Sequence, residues 1–289
     1  MNRGVILLAS VFFALLVGIA FLKFRTSKDG SQTGQGGLPD ARKETIQQFW
    51  QVYRRATRGR IVGDLPSAAA DYRRALDLNG KHEDALYYLG NIYLELGKVD
   101  SAEQTWKRLE EINPNSARVH FQLGNLYLDF EEPDFFDIDA AGAEFHRALE
   151  INKEESKPVL SLGLIALIRG DLHQARDYFE AVVASNFKSV PAYAFDGYVA
   201  WKEGNSQRAL TLFRKAVEYS VQTHPVQGVL GKGETRSGKS LARSHRHTLF
   251  QACFGDLAGL EPSAFSHEMA ARYRKLGALL DRIRTKYRL

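Results

Sequence analysis

Apolar and polar positions follow helical spacing over most of the chain between residues 40 and 223. In residues 82–116, small or apolar side chains recur three and four positions apart, pause at Gly97, and resume until Asn113 and Pro114. This spacing places the apolar side chains on one side of each helix, and glycine and proline interrupt it. The pattern therefore predicts two amphipathic helices joined by a short turn.

The predicted helix pair occurs five times in the chain. Units one to five begin at Phe49, Glu83, Ala117, Ser156 and Val190, at intervals of 34, 34, 39 and 34 residues. In each unit the eighth residue is small, an alanine lies near the start of the second helix, and an aromatic follows four residues later. The aromatics are Tyr72, Trp106, Phe145, Phe179 and Phe213. Unit three has about five additional residues at its turn, within EEPDFFD, and loops accommodate such insertions at low cost.

This pattern resembles the tetratricopeptide repeat (TPR) family over about residues 49–223. The resemblance implies an all-α fold, a TPR-type solenoid of about five helical hairpins within residues 40–223. Its repeats are 49–82, 83–116, 117–155, 156–189 and 190–223. No unit can bury its apolar side alone, so stacked units share a continuous core. Unit one departs most from the family pattern, with Arg55 and Gly59 at positions where leucine and tyrosine are usual.

The resemblance further implies a concave groove, lined by the first helix of each unit, that binds a protein or peptide partner. The residues that match groove positions are Tyr87, Asn91, Leu94, Phe121, Asn125, Leu128, Leu160, Leu164 and Tyr198. Asn91 and Asn125 lie 34 residues apart, so they are expected to stack along the groove and hydrogen-bond a bound main chain. The alternative is that both are solvated surface residues.

Some family members clamp a C-terminal carboxylate with basic residues in this groove. The matching positions here contain Tyr87, Leu160 and Leu164, so such a clamp is not expected. An extended or helical segment with apolar anchors fits better.

An apolar segment precedes the repeats. Residues 5–22 contain 18 consecutive uncharged positions, a length of roughly 27 Å as a helix, which is enough to cross a hydrocarbon core. Residues 1–25 are therefore predicted to be a transmembrane anchor or uncleaved signal, and residues 26–39, rich in Gly, Ser, Gln and Thr, a flexible linker. Cleavage after Ala20, which would release a soluble exported protein, is the alternative. Basic residues flank the segment on both sides, so the sequence does not determine on which side of the membrane the repeats lie.

Overall composition is ordinary for a globular protein, but the charge is unevenly distributed. Residues 224–289 contain 12 Lys and Arg against 5 Asp and Glu, a net charge of +7. They are predicted to form a basic loop followed by C-terminal capping helices, one within about residues 241–260 and a last one ending near Tyr287. The alternative role is contact with anionic lipid or an acidic partner. Nucleic acid is not expected as a partner, because no aromatic platform interleaves the charge.

Residues 231–240, GKGETRSGKS, match the phosphate-binding pattern G-x-x-x-x-G-K-[ST]. That motif works only between a buried strand and a helix, and no strand pattern surrounds it here. A nucleotide-dependent enzyme using residues 233–240 is therefore kept only as an alternative function. Weak anion contact by Lys232, Arg236 and Lys239 is the milder expectation.

Metal and catalytic sites are not expected. His245, His247 and Cys253 have a spacing that turns their side chains to different faces of a helix, and Cys253 is expected to be a buried apolar residue. No spacing identifies a catalytic group or a cofactor site. The sequence thus predicts a single-pass membrane-anchored TPR scaffold, without enzymatic activity, that recruits or assembles a membrane-associated complex.

Overall fold

The computed structural model describes residues 40–223 and 249–289. The chain divides into residues 1–45, of which only the beginning of the first helix is described, and residues 46–289. The described residues form twelve α-helices and no strand. The helices are α1 (Asp40–Val62), α2 (Leu65–Leu78), α3 (Glu83–Glu95), α4 (Val99–Ile112), α5 (Ala117–Tyr127), α6 (Ile138–Ile151), α7 (Ser156–Arg169), α8 (Leu172–Ser185), α9 (Val190–Lys202), α10 (Ser206–Thr223), α11 (Leu249–Phe254) and α12 (Phe265–Tyr287).

Helices α1 to α10 form the five predicted hairpins, so the all-α repeat fold is confirmed. Within units two to five the two helices of each hairpin pack together, and the second helix of each of the first four units packs on the first helix of the next. The turns inside units one, two, four and five contain glycines in the left-handed region, with φ of 85°, 73°, 87° and 82°. These are Gly63, Gly97, Gly170 and Gly204. Only glycine adopts this conformation without a steric cost, which explains its recurrence.

The connections between units repeat as well. The second helices of units one to four end at Asn79, Asn113, Asn152 and Asn186. Each asparagine Oδ1 accepts a hydrogen bond from the backbone N–H two residues later. Asparagine favours this local turn, which ends the helix and redirects the chain into the next unit.

Close contact between a glycine and an aromatic joins the two helices of the hairpins in units two, three and four. A Cβ atom added to Gly124 would lie 2.6 Å from the ring of Phe145, and one added to Gly163 would lie 2.5 Å from the ring of Phe179. Gly90 meets Trp106 in the same way. The aromatics Tyr72, Trp106, Phe145, Phe179 and Phe213 are all fully buried. In units two to four, the repeated small and aromatic positions are thus the contact points of the two helices, whereas Gly197 of unit five faces Tyr273 of α12.

The last helix, α12, does more than cap the final repeat. It packs on α10 of unit five and also on α7 of unit four. Arg284 donates from Nε to the carbonyl oxygen of Ile168 at 2.7 Å and from Nη2 to that of Leu167 at 2.6 Å. Both carbonyl groups lie in the last turn of α7, where the i+4 donors of the helix run out. The Leu167 oxygen also accepts from the backbone N–H of the cap residue Gly170 at 3.1 Å.

The end of α12 reaches the turn of unit three, where the additional residues are. The rings of Tyr287 and Phe136 have centroids 4.0 Å apart, and the Tyr287 hydroxyl donates to the carbonyl oxygen of Phe130 at 2.8 Å. Lys286 Nζ donates to the same oxygen at 3.1 Å. In the sequence, the additional residues of unit three appear only as a longer interval between repeats. In the structure, their turn forms the surface on which the C-terminal end of α12 packs.

No helix in the described part of the chain combines the length and apolar character needed to span a bilayer. The predicted anchor at residues 5–22 and the linker at 26–39 lie outside the described residues.

Candidate partner-binding surface

The predicted groove residues of units two and three lie together on α3 and on α5 with its C-cap. Tyr87, Asn91 and Leu94 project from α3, and all three are half-buried. Phe121 and Asn125 project from α5, Leu128 caps its C-terminal end, and these three are half-buried too. We call the surface formed by these six residues the groove face of units two and three. Partial exposure of aromatic and leucine side chains beside amides gives this surface both apolar area and hydrogen-bonding groups.

A polar network connects the two helices across this face. Gln122 Nε2 donates to Asn91 Oδ1 at 3.0 Å and to the Tyr87 hydroxyl oxygen at 3.3 Å. The guanidinium of Arg118 lies 4.5 Å from the centroid of the Tyr87 ring and pairs with Asp84 at 2.5 Å. These bonds fix the position of the Tyr87 ring before any partner arrives, which lowers the entropy lost on binding.

Gln122 is a groove residue that sequence reasoning missed. Its position, the sixth of the unit, contains arginine, tyrosine, serine or phenylalanine in the other units, so the repeat offers no common signal there. The structure adds a contact of Asn91 that the repeat register does not predict. Its amide oxygen pairs with Gln122 of the next unit, which has the longer side chain at the point where the two helices meet.

Units four and five present a different surface, because α12 covers part of it. Leu160 and Leu164 are half-buried and pack against the apolar core that includes α12. Tyr198 was predicted to line the groove but is 2% exposed, with its ring 5.9 Å from that of Tyr273 on α12. Burial beneath α12 raises the pKa of Tyr198. Tyr198 is therefore a core residue here, whereas Leu160 and Leu164 keep the same partial exposure as the predicted groove residues of units two and three.

Of the basic C-terminal region, residues 224–289, the structure describes residues 249–289. The motif-like residues 231–240, with Lys232, Arg236 and Lys239, lie outside them, and so do His245 and His247. In α12, Arg272 donates to the carbonyl oxygen of Cys253 at 2.9 Å and Lys275 to that of Ala252 at 2.5 Å. Part of the basic charge thus serves internal contacts that hold α11 against α12.

Cys253 itself is buried, as expected, and burial raises the pKa of its thiol. A raised pKa keeps the thiol protonated at neutral pH, which makes it a weak nucleophile and a poor metal ligand.

Comparison with known proteins supports the repeat assignment. Two family profiles, each described as tetratricopeptide repeat, match residues 62–127 and residues 160–225. No curated protein matches the sequence.

Several solved structures resemble the chain. A MamA structure is 22% identical with a TM-score of 0.51, covering 59% of this chain and 96% of that one. A MamA from Desulfovibrio magneticus is 14% identical with a TM-score of 0.54, covering 61% and 96%. PilF of Pseudomonas aeruginosa is 17% identical with a TM-score of 0.53, covering 83% and 93%. These similarities concern the fold alone, and with the profiles they show an all-helical solenoid of tetratricopeptide repeats.

Proposed function

We propose that the chain is a scaffold that binds a partner protein on the groove face of units two and three. The observation that carries this proposal is the half-exposed set of Tyr87, Leu94, Phe121 and Leu128 around the amides of Asn91 and Asn125. Exposed apolar patches bordered by polar groups are typical of protein-binding surfaces. The fixed position of Tyr87 supports the proposal, since rigid aromatic anchors contribute most to interface affinity.

The chemistry of the face favours a partner segment with apolar side chains. Arg118 is already paired with Asp84, so the basic group beside Tyr87 is partly neutralised. Tyr87, Leu160 and Leu164 stand where a carboxylate clamp would need basic residues. Binding thus rests on insertion of apolar side chains beside Tyr87 and Phe121, with the asparagine amides bonding the main chain of the segment.

We further propose that residues 5–22 hold the scaffold at a membrane, so that the bound partner is recruited to a membrane-associated complex. The uncharged length of this segment supports the anchor, and residues 26–39 give the repeats reach from the bilayer. Release of a soluble form by cleavage after Ala20 is the alternative, and N-terminal sequencing of the mature chain distinguishes the two.

The partner surface is tested by cross-linking followed by direct binding. A photoreactive amino acid replaces Phe121 in one variant and Phe187, an exposed aromatic in the turn after α8, in a matched control. We expect a specific cross-linked protein from position 121 and not from position 187. Binding of the purified partner is then measured for the double variant Tyr87→Ala with Phe121→Ala. Loss of two central anchors is expected to weaken binding by about thirtyfold or more, equivalent to about 2 kcal/mol.

Two controls make the outcome specific. Helicity and melting temperature of the double variant must remain close to those of the wild type, because both side chains are half-buried. Lys239→Ala tests the alternative in which the basic segment binds the partner or a nucleotide. If Lys239→Ala abolishes binding while the double variant retains it, the groove face is not the binding surface. Calorimetry with millimolar ATP tests nucleotide binding separately.

A further inference from the structure

The repeats allow each position to be compared with its equivalents in the other units, and two positions stand out. The fourth residue of the unit is Val52, Leu86, Val159 or Tyr193 in four units and His120 in unit three. The residue eight positions after the second-helix alanine is Leu76, Leu149, Val183 or Val217 in four units and Glu110 in unit two. A polar side chain at a position that is otherwise apolar and at least partly buried normally costs stability.

The two exceptional residues meet in the structure. His120 on α5 is 3% exposed, and its Nδ1 lies 3.7 Å from Oε1 of Glu110 on α4. Glu144 on α6 completes the cluster, with Oε2 at 2.7 Å from the same Nδ1. The three donor atoms lie within 4.8 Å of one another, and they come from three different helices in two neighbouring units. The polar replacements therefore form one cluster at the boundary between units two and three.

The hydrogen bond of His120 Nε2, the ring nitrogen that faces away from the carboxylates, determines the tautomer of the imidazole. His120 Nε2 is 3.0 Å from the carbonyl oxygen of Pro114. A carbonyl oxygen only accepts, so Nε2 carries the proton and, in the neutral ring, Nδ1 presents its lone pair to the two carboxylates. Histidine residues that bind metals usually donate their other N–H to such a backbone carbonyl, which fixes the tautomer and the orientation of the ring.

The charge of the cluster also favours a bound metal ion. When Nδ1 acts as a metal ligand the imidazole is neutral, so the two carboxylates carry two negative charges beside a buried ring. A divalent cation compensates both charges at once. Because one ligand is an imidazole nitrogen, the set suits first-row transition metals, whereas magnesium and calcium prefer six or more oxygen ligands.

We propose that Glu110, His120 and Glu144 form a binding site for a divalent transition metal ion, with zinc as the expected ion, which joins unit two to unit three. Three protein ligands leave one position for water, since the side chains of Glu110 and Glu144 are 33% and 19% exposed. The competing occupant is a proton shared between His120 and Glu144.

The experiment measures metal binding to the full-length chain in detergent after treatment with a chelator. Zn²⁺ binding is measured by equilibrium dialysis, Co²⁺ binding by its visible absorption, and melting temperature with Zn²⁺, with Mg²⁺ and with EDTA. We expect one ion per chain at this site, a higher melting temperature with Zn²⁺ and no such change with Mg²⁺. Glu144→Gln, which keeps the size of the side chain, is expected to weaken Zn²⁺ binding at least tenfold.

Matched variants separate this site from chance binding by other histidines. Glu150→Gln changes an exposed glutamate of the same helix that pairs with Arg147, and His173→Asn removes an exposed histidine beside Asp177. Neither is expected to change the affinity. The double variant Glu110→Leu with His120→Leu restores the residue type of the other units, so it should fold while losing the response to Zn²⁺.

The proposal is overturned if the wild-type chain shows neither a bound ion nor a change in melting temperature at millimolar Zn²⁺. It is also overturned if His173→Asn removes the binding while Glu144→Gln and the double leucine variant keep it. In that case a shared proton, and not a metal ion, occupies the cluster.

Discussion

At the scale of single residues, the two glycines Gly124 and Gly142 have opposite surroundings although both lie within helices of unit three. A Cβ atom on Gly124 would lie 2.6 Å from the ring of Phe145, too close for the two helices to keep their positions. A Cβ atom on Gly142 would meet only Ile165 Cδ1 at 3.8 Å, an ordinary contact distance. The first glycine is required by packing, and the second is not.

Alanine substitutions test this difference. Gly124→Ala is expected to destabilise the fold by about 1–3 kcal/mol, because Phe145 is fully buried and has no free space to move into. Gly142→Ala is expected to stabilise it by about 0.5–1 kcal/mol through the lower backbone entropy of the unfolded chain. Urea unfolding of both variants measures the two values. Equal effects of the two substitutions would contradict the packing argument.

Arg55, which departs from the family pattern, has a partner that explains its presence. It donates from Nε and Nη2 to the two carboxylate oxygens of Asp71, at 2.5 and 2.6 Å. This bidentate pair connects α1 to α2 within unit one. The hydrogen bond from Arg55 is the main reason that the pKa of Asp71 lies below its usual value of 3.8.

The lowered pKa predicts a dependence of stability on pH. The pair stabilises the folded state fully above the usual pKa of the carboxyl group, and this contribution is lost as the pH falls through the lowered pKa. The stability difference between the wild type and Asp71→Asn should therefore shrink between about pH 6 and pH 2. High salt should reduce it at every pH, because the Arg55 side chain is 57% exposed. A difference that stays constant with pH would show that the pair contributes nothing.

At the scale of helices, the sequence predicted the existence of α12 but not its position. Apolar side chains at helical spacing identified a helix with one apolar face, and the repeat fixed the hairpins because every unit carries the same contact positions. The surface that α12 covers depends on contacts between residues far apart in sequence, such as Arg284 with Leu167 and Tyr287 with Phe130. Periodicity contains no information about such pairs.

The same limit applies to the candidate sites. The groove positions of units two and three followed from the register of the repeat, whereas the burial of Tyr198 required knowledge of what lies on top of it. The hydrogen bond from Gln122 to Asn91 and the contact of His120 with Glu144 join residues of different helices that are 31 and 24 positions apart in sequence. Only the comparison between units indicated, through a histidine at an apolar position, that the boundary after unit two is unusual.

The bonds between Arg284 and the end of α7 lead to a prediction for this contact. Arg284→Met keeps much of the aliphatic stem but removes both donors, leaving the carbonyl groups of Leu167 and Ile168 without this partner. We expect a loss of about 2 kcal/mol in unfolding free energy, typical of charged hydrogen bonds. Arg282→Met is the control, since Arg282 is exposed on the same helix. Equal melting temperatures for the two variants would contradict the role of Arg284.

At the scale of the whole molecule, we expect the proposed anchor and the repeats to act as separate functional parts. A chain that begins at Leu38 retains all described helices and lacks the apolar residues 5–22. We expect it to remain in the supernatant of a membrane preparation and to show the circular dichroism of a helical protein. The full-length chain should stay in the pellet after a high-salt wash. If the shortened chain also stays in the pellet, another part, such as the basic region, binds membranes.

Helix α12 contacts units three, four and five. These contacts should change how the solenoid unfolds locally. In a simple repeat array each unit contacts only its neighbours, so the ends fray independently and stability is distributed along one dimension. Here Tyr287 is bonded to Phe130, 157 positions earlier in the chain, and this closes units three to five into a ring of contacts. Amide hydrogen exchange should consequently show these three units protected as one cooperative foldon, while units one and two exchange through smaller local openings. Local unfolding of a repeat array normally starts at its ends. Here the C-terminal end is expected to belong to the foldon that opens last.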